Sequence, residues 1–335
     1  MAAIAAWTGH LIPNAAQPVT PIPAEPILDA HIHLFDPTRT GGVPWPLPND
    51  PIYKPSLPSF YEALARPLGI VGAIAIEASR LKADNDWLLN IVRSSDIMVG
   101  IIGDLPPSLS DFATDLDRLH REPLFVGIRH GNLWNRSLSE DLQNPLFWRN
   151  LQHLAASNLV FETANPDLVI LGALVRLADR VPQLQIVIDH LPHMEQPVAA
   201  EDKQAVATYL REPAAAPKVS IKLSEIPQLA NGSLRRDITF YQQHLDTLWT
   251  LFGEDRCLFG SDWPNSDHVA SLHQTVSLVK KYMAEKSPTG RRKFFSENCQ
   301  RIYGCKPRDA NGQAQVPIAR KLIPSSPSRR CLPDI

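Results

Sequence analysis

The residues best suited to chemistry stand in the short string Asp29-Ala30-His31-Ile32-His33, which closes the apolar run Pro26-Ile27-Leu28. Alternate side chains on a strand share a face and lie about 6.6 Å apart along the backbone, so His31 and His33 can turn two imidazoles toward one centre. That geometry suits a metal ion. An isolated His-x-His serves equally well as a hydrogen-bonded loop anchor, so its weight comes from what recurs further along. Later apolar runs end in Glu77, in Arg129-His130, in Glu162-Thr163, in Asp189-His190, in Lys222 and Ser224, and in Ser261-Asp262-Trp263-Pro264.

These residue types define a chemistry. Imidazoles with a carboxylate suit a divalent metal, zinc above others, with one position left open for water; the candidate ligands are His31, His33, His190 and Asp262. His190 could instead be a neutral hydrogen-bond donor to substrate, and Asp262 could merely cap the following turn. A carboxylate beside an activated water can take its proton, which favours Asp262 as the catalytic base. Arg129 presents a rigid fork to a substrate carboxylate or a developing oxyanion, unless Glu77 or Glu162 occupies it. Lys222 is a candidate for binding a carboxylate, or for a carbamylated ligand if a second metal is present. His130, Trp45, Tyr53, Trp134 and Trp263 are candidate pocket-lining residues, the aromatics offering a flat face to a substrate ring. His193 is a further candidate ligand. In a regular strand Asp29 shares a face with His31 and is expected to buttress it.

The elements that must position these groups are visible as a series. Apolar, β-type runs occur at Ile27–His31, Ile70–Glu77, Ile97–Gly103, Leu124–Arg129, Leu159–Thr163, Gln185–Asp189, Lys218–Leu223 and Cys257–Gly260. Between them, helical patterns are expected at Leu57–Leu68, Trp87–Ser94, Leu109–His120, Pro145–Ala156, Leu168–Arg180, Gln196–Glu212 and Ile238–Phe252, and Val269–Glu285 follows the last. In Leu168–Arg180 the apolar Leu168, Leu171, Leu174, Val175 and Ala178 recur every three or four residues and give one sheet-covering face. Alternating strand and helix requires right-handed crossovers, and eight repeats close a parallel barrel. The expected fold is an α/β, distorted (β/α)8 TIM barrel over residues 27–304, preceded by a leader (1–26) and followed by a C-terminal extension (305–335). A long Pro- and Gly-rich loop, Phe35–Pro58, follows the first strand and carries Trp45 and Tyr53. A barrel places its active site on such loops.

Composition narrows the function. The 335 residues carry a formal net charge of −2, so neither nucleic acid nor an anionic membrane surface has electrostatic support as a partner. No run approaches the roughly 18 apolar residues of a membrane span. The four cysteines, Cys257, Cys299, Cys305 and Cys331, form no Cys-x-x-Cys pair, and the proline-interrupted N-terminus is a poor signal peptide; both favour the cytoplasm. A small-molecule substrate is the expected partner, and a homodimer is compatible with it. There is no Gly-x-Gly-x-x-Gly, Walker loop or Gly-x-Ser-x-Gly elbow to support a nucleotide enzyme or a serine hydrolase.

Taken together, residues 29–36, Gly127-Ile128-Arg129, Ile188-Asp189-His190, Lys218–Ser224, Phe259–Pro264 and Asn298–Gly304 resemble the amidohydrolase-related (amidohydrolase 2) family, in the family's order over about residues 27–304. The resemblance implies a distorted (β/α)8 barrel and hydrolysis of sugar lactones, dicarboxylate lactones or pyrones, with the sugar lactonase branch nearest. It implies that His31 and His33 match the first-strand histidines, His190 the sixth-strand histidine, Asp262 the water-activating aspartate and Arg129 a substrate-binding arginine. Some relatives work without metal, and others decarboxylate aromatic or unsaturated acids at a similar metal site; a barrel kept only as a binding protein is the third alternative. Two departures stand out. The fifth strand has no histidine, which speaks against a binuclear centre, and Ser224-Glu225 replaces the Ser-Gly common in the lactonase branch.

Overall fold

The structure, a computed structural model, describes residues 25–163, 168–190, 200–230 and 232–308, without the side chains of residues 168 and 200–206. The leader and the C-terminal extension expected from the sequence fall almost entirely outside the described residues, as does His193.

Eight parallel strands form one sheet in sequential order: β1 (Ile27–His33), β2 (Ile70–Ile76), β3 (Met98–Gly103), β4 (Phe125–Arg129), β5 (Val160–Thr163), β6 (Gln185–Ile188), β7 (Val219–Leu223) and β8 (Cys257–Phe259). The helices include α1 (Pro58–Ala65), α2 (Ala83–Arg93), α3 (Phe112–Leu119), the short α4 (Leu138–Asp141), α5 (Pro145–Ala156), α6 (Leu168–Arg180), α7 (Ala200–Ala215), α8 (Thr239–Phe252), α9 (Leu272–Met283), α10 (Pro288–Arg292) and α11 (Asn298–Tyr303). The expected distorted TIM barrel is the fold. No helix among the described residues is long and apolar enough to cross a membrane.

Each strand is buried on both faces, as parallel strands covered by helices must be. Two apolar sets result. The larger lies between sheet and helices, where Ile32, Ile101, Ile128, Phe161, Ile188 and Phe259 meet α-helical leucines. The smaller fills the barrel interior with Leu28, Ala30, Ile74, Val99, Val126, Val160, Val187 and Leu258, and α11 adds Cys299, Ile302 and Tyr303 to it. Helix boundaries follow local chemistry. α9 opens with a capping box in which Ser271 and Gln274 satisfy each other's backbone donors, so the helix begins at Leu272 and not at Val269. α2 starts at Ala83, a turn earlier than the apolar pattern suggests, with Asp84 and Asp86 in its positively polarised first turn.

The barrel closes between β8 and β1 beyond the end of β8 itself. Asp262 N donates to His31 O at 2.8 Å, and His33 N donates to Trp263 O at 2.7 Å. Asp29 reinforces this seam: its Oδ1 accepts from Ser261 N at 2.8 Å and its Oδ2 from the Tyr61 hydroxyl at 2.7 Å. Gly260 is required here, because a Cβ at that position would lie 2.8 Å from His31 Cβ. The long loop after β1 is closed at its base by Phe35 and Ser56, which exchange two backbone hydrogen bonds.

Candidate active site

β1 runs two residues further than the apolar pattern indicates and ends on His33. A register shift between Asp29 and Ile32 breaks its alternation, so Leu28 and Ala30 face the interior, Ile32 faces the helices, and His31 and His33 both reach the mouth. Asp29 nevertheless buttresses His31 through the backbone, its Oδ1 accepting from His31 N at 3.2 Å, while the same carboxylate stitches β1 to Ser261 and Tyr61.

At the mouth, His31 Nε2 lies 3.2 Å from His33 Nε2, and Asp262 Oδ1 lies 3.4 Å from the first and 3.3 Å from the second. Bonds of 2.0–2.1 Å to a tetrahedral ion set neighbouring ligand atoms roughly 3.3 Å apart, so this triangle has the dimensions of one coordination face. Among the described residues Asp262 Oδ1 is buried with no hydrogen-bond partner, while Oδ2 accepts from Asn265 Nδ2 at 2.7 Å. His33 Nδ1 is 3.2 Å from the Ile76 carbonyl, which can only accept. That contact assigns the proton to Nδ1 and leaves the Nε2 lone pair facing the centre. His190 completes the group. Its ring centroid is 4.5 Å from that of His31, its Nδ1 is 3.0 Å from Ser224 Oγ, and His31, His190 and Asp262 offer ligand atoms within 4.8 Å of one another. These residues fit a divalent ion.

Electrostatics favour the ligand form of the three imidazoles. Burial, with Lys222 and His33 nearby, holds His31 well below the usual imidazole range. Burial and the Arg129 charge lower His33 to about 3, and burial with His31 alongside does the same in direction to His190. All three are neutral imidazoles at pH 7. Burial raises Asp262 to about 7, against the hydrogen bond from Asn265. Glu225 is pushed well above the usual carboxylate range, first by desolvation in the confined mouth and then by the Asp262 charge.

The backbone is strained where these groups are presented. His190, Glu225 and Asp262 follow β6, β7 and β8 and have φ of 62°, 53° and 60°. A non-glycine residue in the left-handed region costs about 1–2 kcal/mol, and such strain gathers at functional sites. Glu225, which occupies one of these positions and borders the cavity, was visible in the sequence only as the departure from Ser-Gly.

Arg129 is not a free fork. Its Nε donates to Glu77 Oε1 at 2.8 Å and its Nη2 to the Glu77 carbonyl at 2.9 Å, leaving Nη1 as the group not engaged by Glu77, 3.8 Å from Asp189 Oδ2. Glu77 Oε2 accepts from Trp134 Nε1 at 3.1 Å and from Ser79 N at 3.0 Å. Glu77 is thus the residue that aims Arg129. Below the mouth, His31, Glu162 and Asp189 form a second set of ligand atoms within 4.8 Å. The Lys222 ammonium lies among them, 2.8 Å from Glu162 Oε2, 3.0 Å from Asp189 Oδ1 and 3.3 Å from His31 Nδ1. Tyr303 of α11 donates to Glu162 Oε1 at 2.6 Å. Burial and Asp189 raise Glu162 to about 8 against the pull of Lys222.

A cavity of ≈ 230 Å³ opens above the triangle. Of the sequence candidates, His33, Trp45, Arg129, Trp134, His190 and Asp262 line it, joined by Glu225 and Asn265, which pattern reading did not assign to the pocket. The other candidates lie elsewhere. Lys222 is fully buried and cannot meet substrate. His130, the neighbour of inward-facing Arg129, faces outward by strand alternation, bonding Asp141 at 2.6 Å and packing on Phe147 and Phe161. Trp263 is buried against Tyr61, and Tyr53 is half-buried off the cavity wall.

A strand-end site of imidazoles and carboxylate on a closed (β/α)8 barrel defines a class, and comparison with known proteins agrees: the Amidohydrolase family model matches residues 28–305, and the chain belongs to that family as an enzyme of the amidohydrolase superfamily. Among curated relatives, an L-fucono-1,5-lactonase of Burkholderia ambifaria is 28% identical over 286 residues, covering 82% of this chain and 94% of that protein. Another L-fucono-1,5-lactonase, from Burkholderia multivorans, is 27% identical over 303 residues, covering 84% and 98%. A solved amidohydrolase from Burkholderia multivorans with bound zinc shares the fold, with a TM-score of 0.75, 23% identity, and coverage of 84% of this chain and 100% of that one.

Proposed function

We propose that the protein hydrolyses the ester bond of a neutral, hydroxyl-bearing lactone such as a sugar lactone, placing it in carbohydrate metabolism. The observation that carries this reading is the orphaned Asp262 Oδ1, 3.3–3.4 Å from two neutral imidazole nitrogens at the floor of a ring-sized cavity. A buried acceptor without a partner costs about 1–3 kcal/mol and calls for one. The lactonase relatives supply the ester as the bond to be cut.

His31, His33, His190 and Asp262 would hold a divalent ion, for which zinc suits the donor set. When bound, it would polarise the ester carbonyl and acidify the attacking water. Asp262 accepts the proton of that water as the new carbon–oxygen bond forms. Arg129, held on Glu77, turns its Nη1 toward charge developing on the carbonyl oxygen. As the ring carbon–oxygen bond breaks, the proton returns to the departing ring oxygen, and the product is an open hydroxy acid. Metal-independent turnover by Asp262 and Arg129 is the finer alternative.

Pocket charge supports a neutral substrate over a dicarboxylate. Among the described residues Arg129 is the single cationic side chain lining the cavity, and Glu77 already binds two of its nitrogens, whereas Asp262 and Glu225 both add acidic groups. Acceptors of this kind pair with ring hydroxyls, and Trp45 and Trp134 offer apolar walls. The three described cysteines are free and buried, in keeping with a cytoplasmic setting.

A panel of sugar lactones and dicarboxylate lactones, followed by proton release with and without chelator, tests the reading. Turnover of neutral lactones that chelator abolishes and zinc restores is expected. Carbon dioxide release from aromatic or unsaturated acids, with no lactone opened, would replace it with decarboxylation.

A further inference from the structure

Beneath the mouth, the set formed by His31, Glu162 and Asp189 has the residue types and the proximity of a second metal site. All three side chains are fully buried. Among the described residues neither oxygen of Asp189 has a directed hydrogen bond; its charged neighbours are Lys222 Nζ at 3.0 Å and Arg129 Nη1 at 3.8 Å, with the neutral His31 Nδ1 3.7 Å from Oδ1. Lys222 reaches this point from β7 and is itself fully buried. Its distances of 2.8 and 3.0 Å to the two carboxylates are those of an N–H donor, and these together with the 3.3 Å to His31 Nδ1 are all too long for zinc bonds of 2.0–2.2 Å. The pocket is therefore sized for an ammonium group.

We propose that Lys222 is a built-in cation standing where a second metal ion would otherwise bind, so that this chain carries a single-ion centre and would become a two-ion protein if the ammonium were removed. The argument is one of charge and ligands. Two buried carboxyl groups side by side can both ionise only with a counter-charge beside them. Lys222 supplies it covalently, and its Nζ lies 3.3 Å from Nδ1 of His31, the imidazole that borders both clusters. Tyr303 fixes Glu162 from the opposite side, so loss of the lysine side chain leaves the oxygen ligands oriented around a vacated position. Lys222 is a positioning residue in this scheme and touches no substrate. The inference depends on the metal-binding reading of the mouth only through the shared His31.

The test is metal stoichiometry, measured on full-length protein equilibrated with zinc and freed of excess, for wild type, Lys222→Met and the double variant Lys222→Met/Glu162→Gln. The expected counts are about one, about two and about one ion per chain. Anomalous scattering from zinc-soaked wild-type crystals gives a second readout that does not depend on any variant folding, and one peak at His31, His33 and Asp262 is expected. A second peak between Glu162 and Asp189 in wild type would overturn the proposal. So would a folded Lys222→Met protein that gains no ion. A wild type with no ion and a Lys222→Met variant with one, bound between Glu162 and Asp189, would uphold the role of Lys222 while removing the metal from the mouth.

Discussion

Two clusters of ionisable groups meet at His31, and they differ in one respect. The lower cluster of Glu162, Asp189 and Lys222 brings its own cation and is sealed from solvent. The upper one, His33, His190 and Asp262, has no cation of its own inside it, keeps an unpartnered carboxylate oxygen and opens on the cavity. In the proposed reading, similar residue types thus yield a structural device in one place and a reaction centre in the other. What decides is whether the chain itself supplies the counter-charge.

Replacing Asp262 by Asn tests the upper cluster most severely. It removes the proposed base and one proposed ligand without changing volume, and kcat should fall by about 10²–10⁴-fold while circular dichroism and Tm stay near wild type. A variant that kept full turnover would strip Asp262 of its role. The lower cluster should answer in stability instead. Lys222→Met breaks a buried ion pair and should cost about 3–5 kcal/mol in denaturant unfolding without metal, part of which added zinc should restore. A change confined to kcat would erase the distinction between the clusters.

Asp262 must be ionised to accept a proton, and burial raises it to about 7. In the metal-independent alternative, where turnover survives chelator, kcat/KM should therefore fall roughly tenfold per pH unit below that point and level off above it. A profile flat from pH 5 to 8, within the range of about 5–8 set for an ordinary imidazole switch, would contradict the assignment. The smallest effect is expected at the rim. Trp134→Phe keeps an aromatic wall but deletes the hydrogen bond to Glu77, so it should shift kcat/KM by about 1 kcal/mol, a few-fold, through looser aiming of Arg129.

The eight-strand order was legible in the sequence because parallel strands buried on both faces read as apolar runs, and Asp262 was legible as the polar end of the last of them. The sharing of one centre by His31 and His33 was anticipated from strand alternation, yet the bulge that delivers both to the mouth left no mark in the residue pattern. Lys222 was read as a substrate contact since a lysine on a strand normally seeks solvent; only the partners brought by β5, β6 and α11 make its complete burial tolerable. His130 could have been placed outward by the alternation that turns Arg129 inward. Glu225 was hidden by its left-handed backbone, which nothing in a glutamate residue announces.

The Asp29 seam has a consequence for how the enzyme fails. The stitch that turns an open sheet into a cylinder is also the hinge line across which His31 and His33 meet Asp262. Loosening it by a fraction of a bond length would scatter the reactive atoms while every helix stayed packed. Inactivation by heat or denaturant should then precede loss of helical signal, making the cylinder's last joint its most perishable one.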